Sequence, residues 1–174
     1  MENRPSNAKV ALINGIYLGV ALIFFSLILY VIGVDREHWL QYMSFLIMLI
    51  GVFIAQKYWR DKYNDGFLTY GQAFSNGFLT ILFASILTAL YTYSFFEFIA
   101  PGEHQAILDA AEEKIYDQNP SIGEDEFEMA WKWTTMMTTP LMLAVWGIVG
   151  GVFGGLIISA ITSIFVKKEP QQFA

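Results

Sequence analysis

Four long stretches of this chain contain no Asp, Glu, Lys or Arg: residues 10–34, 39–56, 66–96 and 133–166. A helix that crosses a bilayer needs about 20 mostly apolar residues, since each adds 1.5 Å of rise over roughly 30 Å of hydrocarbon. Backbone polar groups in lipid must be paired internally, so a spanning segment is either a helix or part of a closed barrel. Barrel strands alternate over about ten residues, whereas these runs are continuously apolar and longer. The pattern therefore predicts four transmembrane helices, at 10–34, 39–56, 70–96 and 133–166, the third opening near Tyr70. The first run is too long for a signal-peptide core, and no small-residue cleavage site follows before Asp35, so it reads as a retained helix.

Between the third and fourth helices the pattern changes. Pro101 and Gly102 punctuate the chain, and Ile107, Ala110, Ala111 and Ile115 recur at helical spacing over 103–118 with acids on the opposite face. Asn119-Pro120 breaks this helix. Ser121, with Glu124 three residues on, has the form of a capping box for a second helix. That helix carries Phe127, Ala130, Trp131 and Thr134, and runs towards Pro140. Residues 97–132 thus read as an acidic helical hairpin, and the fold class as an all-α integral membrane protein.

Composition supports a non-aqueous solvent. Of 174 residues 55% are hydrophobic and 15% charged, against about 25% charged in soluble domains. Cysteine is absent, which excludes disulfides, thiolate metal sites and a thiol nucleophile. The net charge of −6 arises almost wholly from 97–132, so nucleic-acid binding is not expected.

Charge also orients the chain. Arg4, Lys9, Lys57, Arg60, Lys62, Lys167 and Lys168 fall on one side; Arg36, Lys114 and Lys132 fall on the other. The positive-inside rule then places both tails (1–9 and 167–174) and the basic 57–69 loop in the cytoplasm. The short 35–38 loop and the acidic segment lie outside.

Small residues suggest how the helices pack. Gly147, Gly151 and Gly155 repeat every four residues in the fourth span, as do Ala11, Gly15 and Gly19 in the first. Such rows allow close backbone approach in lipid. They fit packing of these two helices on each other within one bundle, or a homo-oligomer seam, or a hinge at the glycine pairs. Uncharged polar residues collect towards the cytoplasmic side: Asn14, Gln56, Gln72, Asn76, Ser159, Thr162 and Ser163. They read either as interhelical hydrogen bonding or as a polar vestibule open to the cytoplasm.

Chemistry is sparse. No ionisable side chain lies inside a predicted span, which argues against coupled pumps and voltage sensors. His38 and His104 sit in no metal pattern. Catalytic, cofactor and metal residues are therefore all expected to be none. A non-enzymatic interaction or assembly protein is the first expectation, with partners reached through the acidic segment or the basic inner connection. An uncoupled small-solute carrier or channel with a polar cytoplasmic vestibule is the alternative.

The run Lys57-Tyr58-Trp59-Arg60-Asp61-Lys62-Tyr63-Asn64-Asp65-Gly66-Phe67-Leu68-Thr69-Tyr70-Gly71-Gln72-Ala73-Phe74, the Met-Met-Thr-Thr-Pro at 136–140 and the Gly-rich last span with its Lys-Lys tail carry a family likeness. The chain resembles the bacterial membrane proteins grouped as domain of unknown function 4199, over nearly all its length. The resemblance implies a four-helix protein of a bacterial cytoplasmic membrane and supplies no activity.

Overall fold

The computed structural model describes residues 5–34 and 38–169. Arg4 and Arg36 of the basic count, and most of the 35–38 loop, lie outside the described residues. Among those described, the chain is helical, without a strand beyond one isolated bridge. Four segments are long and apolar enough to cross a membrane: Asn7–Val31, Trp39–Tyr63, Tyr70–Ile99 and Pro140–Val166.

Helix α1, Asn7–Val31, opens on Ser6, whose Oγ accepts from the Lys9 amide. It therefore begins three residues before the charge-free window, and Lys9 lies within its first turn. It closes at Gly33, which has φ 69°. The Gly33 amide bonds Tyr30 O, and the Val34 amide bonds Leu29 O. Those paired bonds make a Schellman ending, for which glycine is the usual residue because a left-handed φ costs it little.

A 3₁₀ turn, Trp39–Tyr42, precedes α2, Met43–Tyr63. The helix continues seven residues past Gln56, through Lys57, Arg60 and Lys62. Long cationic side chains favour helix and carry their charge outwards to the interface. The sequence-predicted loop at 57–69 thus shrinks to 64–69. It turns through Asp65 and Gly66, at φ 52° and 80°.

Thr69 and Gln72 open α3, Tyr70–Ser94. A π turn, Phe95–Ile99, follows, and the Ala100 amide closes it on Phe95 O. Helix α4, Pro101–Gln118, starts with proline at its first position, where the missing N–H has no intrahelical partner to lose. Helix α5, Glu124–Met137, is capped by Gly123 without a side-chain bond. Ser121 is therefore not the cap that the capping-box pattern suggested; Glu124, Asp125 and Glu126 instead place negative charge at the positive end of the helix dipole. The fourth window does not hold one helix: α5 ends at Met137 and α6, Pro140–Val166, begins anew. Pro140 disfavours helical backbone in the residue before it, and Thr139 Oγ1 caps the new helix by accepting from the Met142 amide.

The chain divides into two compact units, Met1–Thr88 with Ile148–Ala174, and Ala89–Gly147. Within the first, α3 is the central helix. Its most apolar stretch is 44% buried, against 17–22% in the other three spans. Many large apolar side chains on the outer faces are exposed, among them Tyr17, Phe24, Ile50, Ile54, Phe153 and Phe165. That distribution suits a protein whose outer solvent is lipid. At one end, the Leu68 and Lys168 backbones exchange both amide bonds at 2.8 Å. Arg60 Nη1 donates to Val166 O at 2.9 Å, covering a carbonyl at the end of α6.

In the second unit, α4 and α5 are fastened at two places. His104 Nε2 donates to Thr138 O at 2.9 Å, which requires the proton on that nitrogen. The Tyr116 ring stacks on Phe127 at 4.8 Å, and Phe127 stacks on Trp131.

Candidate functional site

The glycine rows locate the interior of the first unit. A Cβ on Gly15 would stand 2.7 Å from Phe83 Cβ and 2.8 Å from Thr80 O; one on Gly19 would meet Leu87. A Cβ on Gly151 would collide with the Ser85 hydroxyl, and one on Gly155 would meet Ile81 at 3.1 Å. The rows of α1 and α6 therefore both pack on α3 rather than on each other. Gly147 has nothing within 4 Å of its Cβ position and takes no part. Periodicity identifies a row of small residues but not the helix it faces.

Between two apolar clusters lies a polar layer. One cluster joins Val10, Trp59, Leu68, Ala73 and Val166 at the helix ends. The other joins Leu18, Val52, Ile81, Ala84 and Ile158 deeper in the bundle. Between them Gln56, Asn76, Thr80, Ser159, Thr162 and Ser163 are all buried.

Gln56 is the hub. Its Nε2 donates to Ala73 O at 3.0 Å and to Ser163 Oγ at 3.1 Å, joining α2, α3 and α6. It fits because position 77 has no side chain: a Cβ there would collide with Gln56 Nε2 and lie 2.9 Å from Ser159 Oγ and Val52 Cγ1. Asn76 Nδ2 donates to Asn7 Oδ1 at 2.8 Å, and Asn7 Nδ2 donates to Ser75 Oγ at 3.0 Å. Thr80, Thr162 and Ser163 donate to carbonyls of their own helices.

Of the residues expected in this layer, Asn76, Ser159 and Thr162 are in it. Asn14 is half-buried on α1, beside Gly15. Gln72 is not in the layer. It is exposed; its Oε1 accepts from the Thr69 amide at 3.0 Å, while Thr69 Oγ1 accepts from the Gln72 amide at 3.3 Å. That reciprocal pair is a capping box. The Thr-x-x-Gln spacing carried the signal. Asn7 was placed in the tail, and its part in the layer follows from α1 starting earlier than the charge gap. The Val10–Trp59–Leu68 cluster adjoins the layer at the helix ends, and the Asn76–Asn7–Ser75 bonds carry the polar chain on to half-buried side chains.

Four polar atoms of this interior have no hydrogen-bond partner among the described residues: Asn14 Nδ2, Gln56 Oε1, Asn76 Oδ1 and Ser159 Oγ. One comes from each apolar helix. An unsatisfied buried donor or acceptor costs about 1–3 kcal/mol.

The second unit offers a different feature. Among the described residues α4 and α5 hold no buried side chain. Phe127 and Trp131 turn one face of α5 to Tyr116. Met129, Trp133 and Met136, on the opposite face, are 65%, 57% and 46% exposed. The acidic first turn lies directly N-terminal to this row. Among the described residues, no three of His, Asp and Glu gather as metal ligands.

Four apolar helices around a buried polar layer define a multi-pass, membrane-type helical bundle. The sequence belongs to the family described as protein of unknown function DUF4199, which matches residues 13–168 and so nearly the whole chain. The resemblance carried by the 57–74 run is thereby confirmed. No curated protein and no solved structure matches the chain.

Proposed function

We propose that this is a non-enzymatic interaction or assembly protein of a bacterial cytoplasmic membrane. Both termini lie in the cytoplasm, and α4 and α5 form an acidic hairpin outside that docks a basic, amphipathic partner helix. The observation that carries the reading is the exposed Met129–Trp133–Met136 row beneath the Glu124–Asp125–Glu126 turn. Methionine and tryptophan adapt to varied apolar surfaces, and the acids supply charge complementarity to a basic partner. The orientation rests on the distribution of Lys and Arg.

The test is site-specific photo-cross-linking in native membranes. A cross-linker at Met129 or Trp133 is expected to capture one protein that a cross-linker at Ala110 does not. Capture should fall when Glu124, Asp125 and Glu126 become lysine. Adducts with lipid alone at Met129 and Trp133 would remove the reading. A periplasm-active reporter scoring active at the C-terminus would overturn the orientation.

The uncoupled-carrier reading has one observation in its favour, the four unpartnered polar atoms, one per span. Flux of a small neutral solute into proteoliposomes, abolished by Gln56→Leu with Asn76→Leu in a folded protein, would favour it over docking.

A further inference from the structure

We infer that the outer face of α2 binds the headgroup of an anionic phospholipid. Ile54, Lys57, Tyr58, Asp61 and Lys62 line a groove of about 580 Å³. These positions are spaced to share one helix face, over roughly 12 Å of helix at 1.5 Å per residue. Leu46, Ile50 and Ile54 continue the same face towards the middle of the span, each exposed. One strip of α2 therefore passes from aliphatic side chains at 46, 50 and 54 to a polar end that holds Lys57, Tyr58, Asp61 and Lys62. That is the polarity of a phospholipid laid against a helix, acyl chain first and headgroup at the end.

Charge complementarity selects an anionic lipid over a zwitterionic one. Asp61 is the acid of the groove, and Arg60 Nε already pairs with it at 2.7 Å. Lys57 and Lys62 then give the groove its net positive charge. Lys62 Nζ donates to Tyr58 Oη at 2.8 Å and lies 5.0 Å from that ring's centre, which holds its ammonium at the rim. Cations beside a membrane surface attract anionic headgroups, each worth about a fivefold gain in binding. Trp59, the neighbour of Tyr58, is buried in the apolar cluster, so the strip is held in a fixed rotation about the helix axis.

The experiment is native mass spectrometry of the full chain in detergent, titrated with phosphatidylglycerol and, separately, phosphatidylcholine. Phosphatidylglycerol is expected to bind more tightly. Lys57→Gln with Lys62→Gln should weaken it about 30-fold, at roughly fivefold per charge, and leave phosphatidylcholine unchanged. Lys9→Gln with Lys167→Gln, which removes the same charge at two lysines that neither line the groove nor act on Asp61, should leave phosphatidylglycerol binding within about twofold of wild type on the same scale. Equal weakening by both pairs would mean diffuse charge attraction and overturn the site. So would equal affinity of the wild-type protein for the two lipids. All four substituted lysines are exposed, and unfolding midpoints matched to wild type confirm that each variant is folded.

Discussion

The side-chain amide of Gln56 lies against the bare backbone of Gly77, with Ser159 Oγ beside it. A glutamine in the middle of a membrane bundle is tolerated there because α3 has no side chain at that point. The amide reaches Ala73 O and Ser163 Oγ, and three helices share one group. Other members of the polar layer bond mainly within their own helix or to a neighbouring one.

Gly77→Ala should therefore do more than add a methyl group. It displaces Gln56 and presses on Val52, at a cost of about 1–3 kcal/mol for overpacking. Unfolding in mixed micelles by SDS titration measures it. In a Gln56→Ala background the cost should shrink, because the colliding group is gone. A double-mutant cycle showing simple additivity would contradict the contact.

Two glycines on the same helix should respond with opposite sign. Gly151→Ala meets the Ser85 side chain and should destabilise the protein; Gly147→Ala meets nothing within 4 Å. It should stabilise α6 by about 0.5–1 kcal/mol, the helix-propensity gain of alanine over glycine. The same SDS titration reads both. Loss of stability in Gly147→Ala would indicate that position 147 packs against a second copy of the chain.

Gln72→Ala should loosen the start of α3 rather than the bundle. Loss of a helix cap costs about 1 kcal/mol, and hydrogen exchange should quicken at the amides of residues 70–73. Thr69→Ala should do the same. The double substitution should cost less than the sum, since the two bonds form one reciprocal pair.

Arg60→Ala should free the end of α6. Val166 O loses its charged donor, worth about 1.5–3 kcal/mol for a hydrogen bond to an ionised group, less here because the guanidinium is partly exposed. Proteolysis beyond Lys167 should accelerate. Arg60→Lys should restore only part of the protection, because Arg60 holds Asp61 and Val166 O with different nitrogens of its fork.

Tyr116→Ala removes an aromatic stack worth about 0.5–1.5 kcal/mol beyond its burial. Faster exchange should be confined to the facing turns of α4 and α5. Spread of the effect to α1 or α2 would contradict the assignment of these helices to separate units.

The four spans were readable because charge is excluded from lipid on energetic grounds, and that exclusion is written residue by residue between Lys9 and Lys167. Their ends were not. Ser6, Gly33 and Thr139 set the helix termini by hydrogen bonding and backbone conformation, and Lys57, Arg60 and Lys62 extend a helix that a charge count stops at Gln56. Gly15 and Gly151 were readable as close-approach positions, yet both meet α3, a fact of three-dimensional assembly that spacing does not hold. Gln72 and Asn76 show the limit most directly. They stand four residues apart and look alike in sequence, but one caps a helix at the surface and the other is fully buried. The Thr-x-x-Gln pattern at 69–72 distinguishes them, but hydropathy and polarity placed both in one cluster.

The bond from Gln56 to Ser163 joins residues 107 positions apart. At about 5–20 residues per second of synthesis, Ser163 is made roughly 5–20 seconds after Gln56. During that interval α2 already holds its amide, and only the carbonyl of Ala73 can receive it. The bundle can be threaded into the bilayer span by span, but its polar layer closes only when the last helix arrives. A ribosome stalled before α6 would leave a protein inserted and unlocked, with the Gln56 amide held by Ala73 O alone.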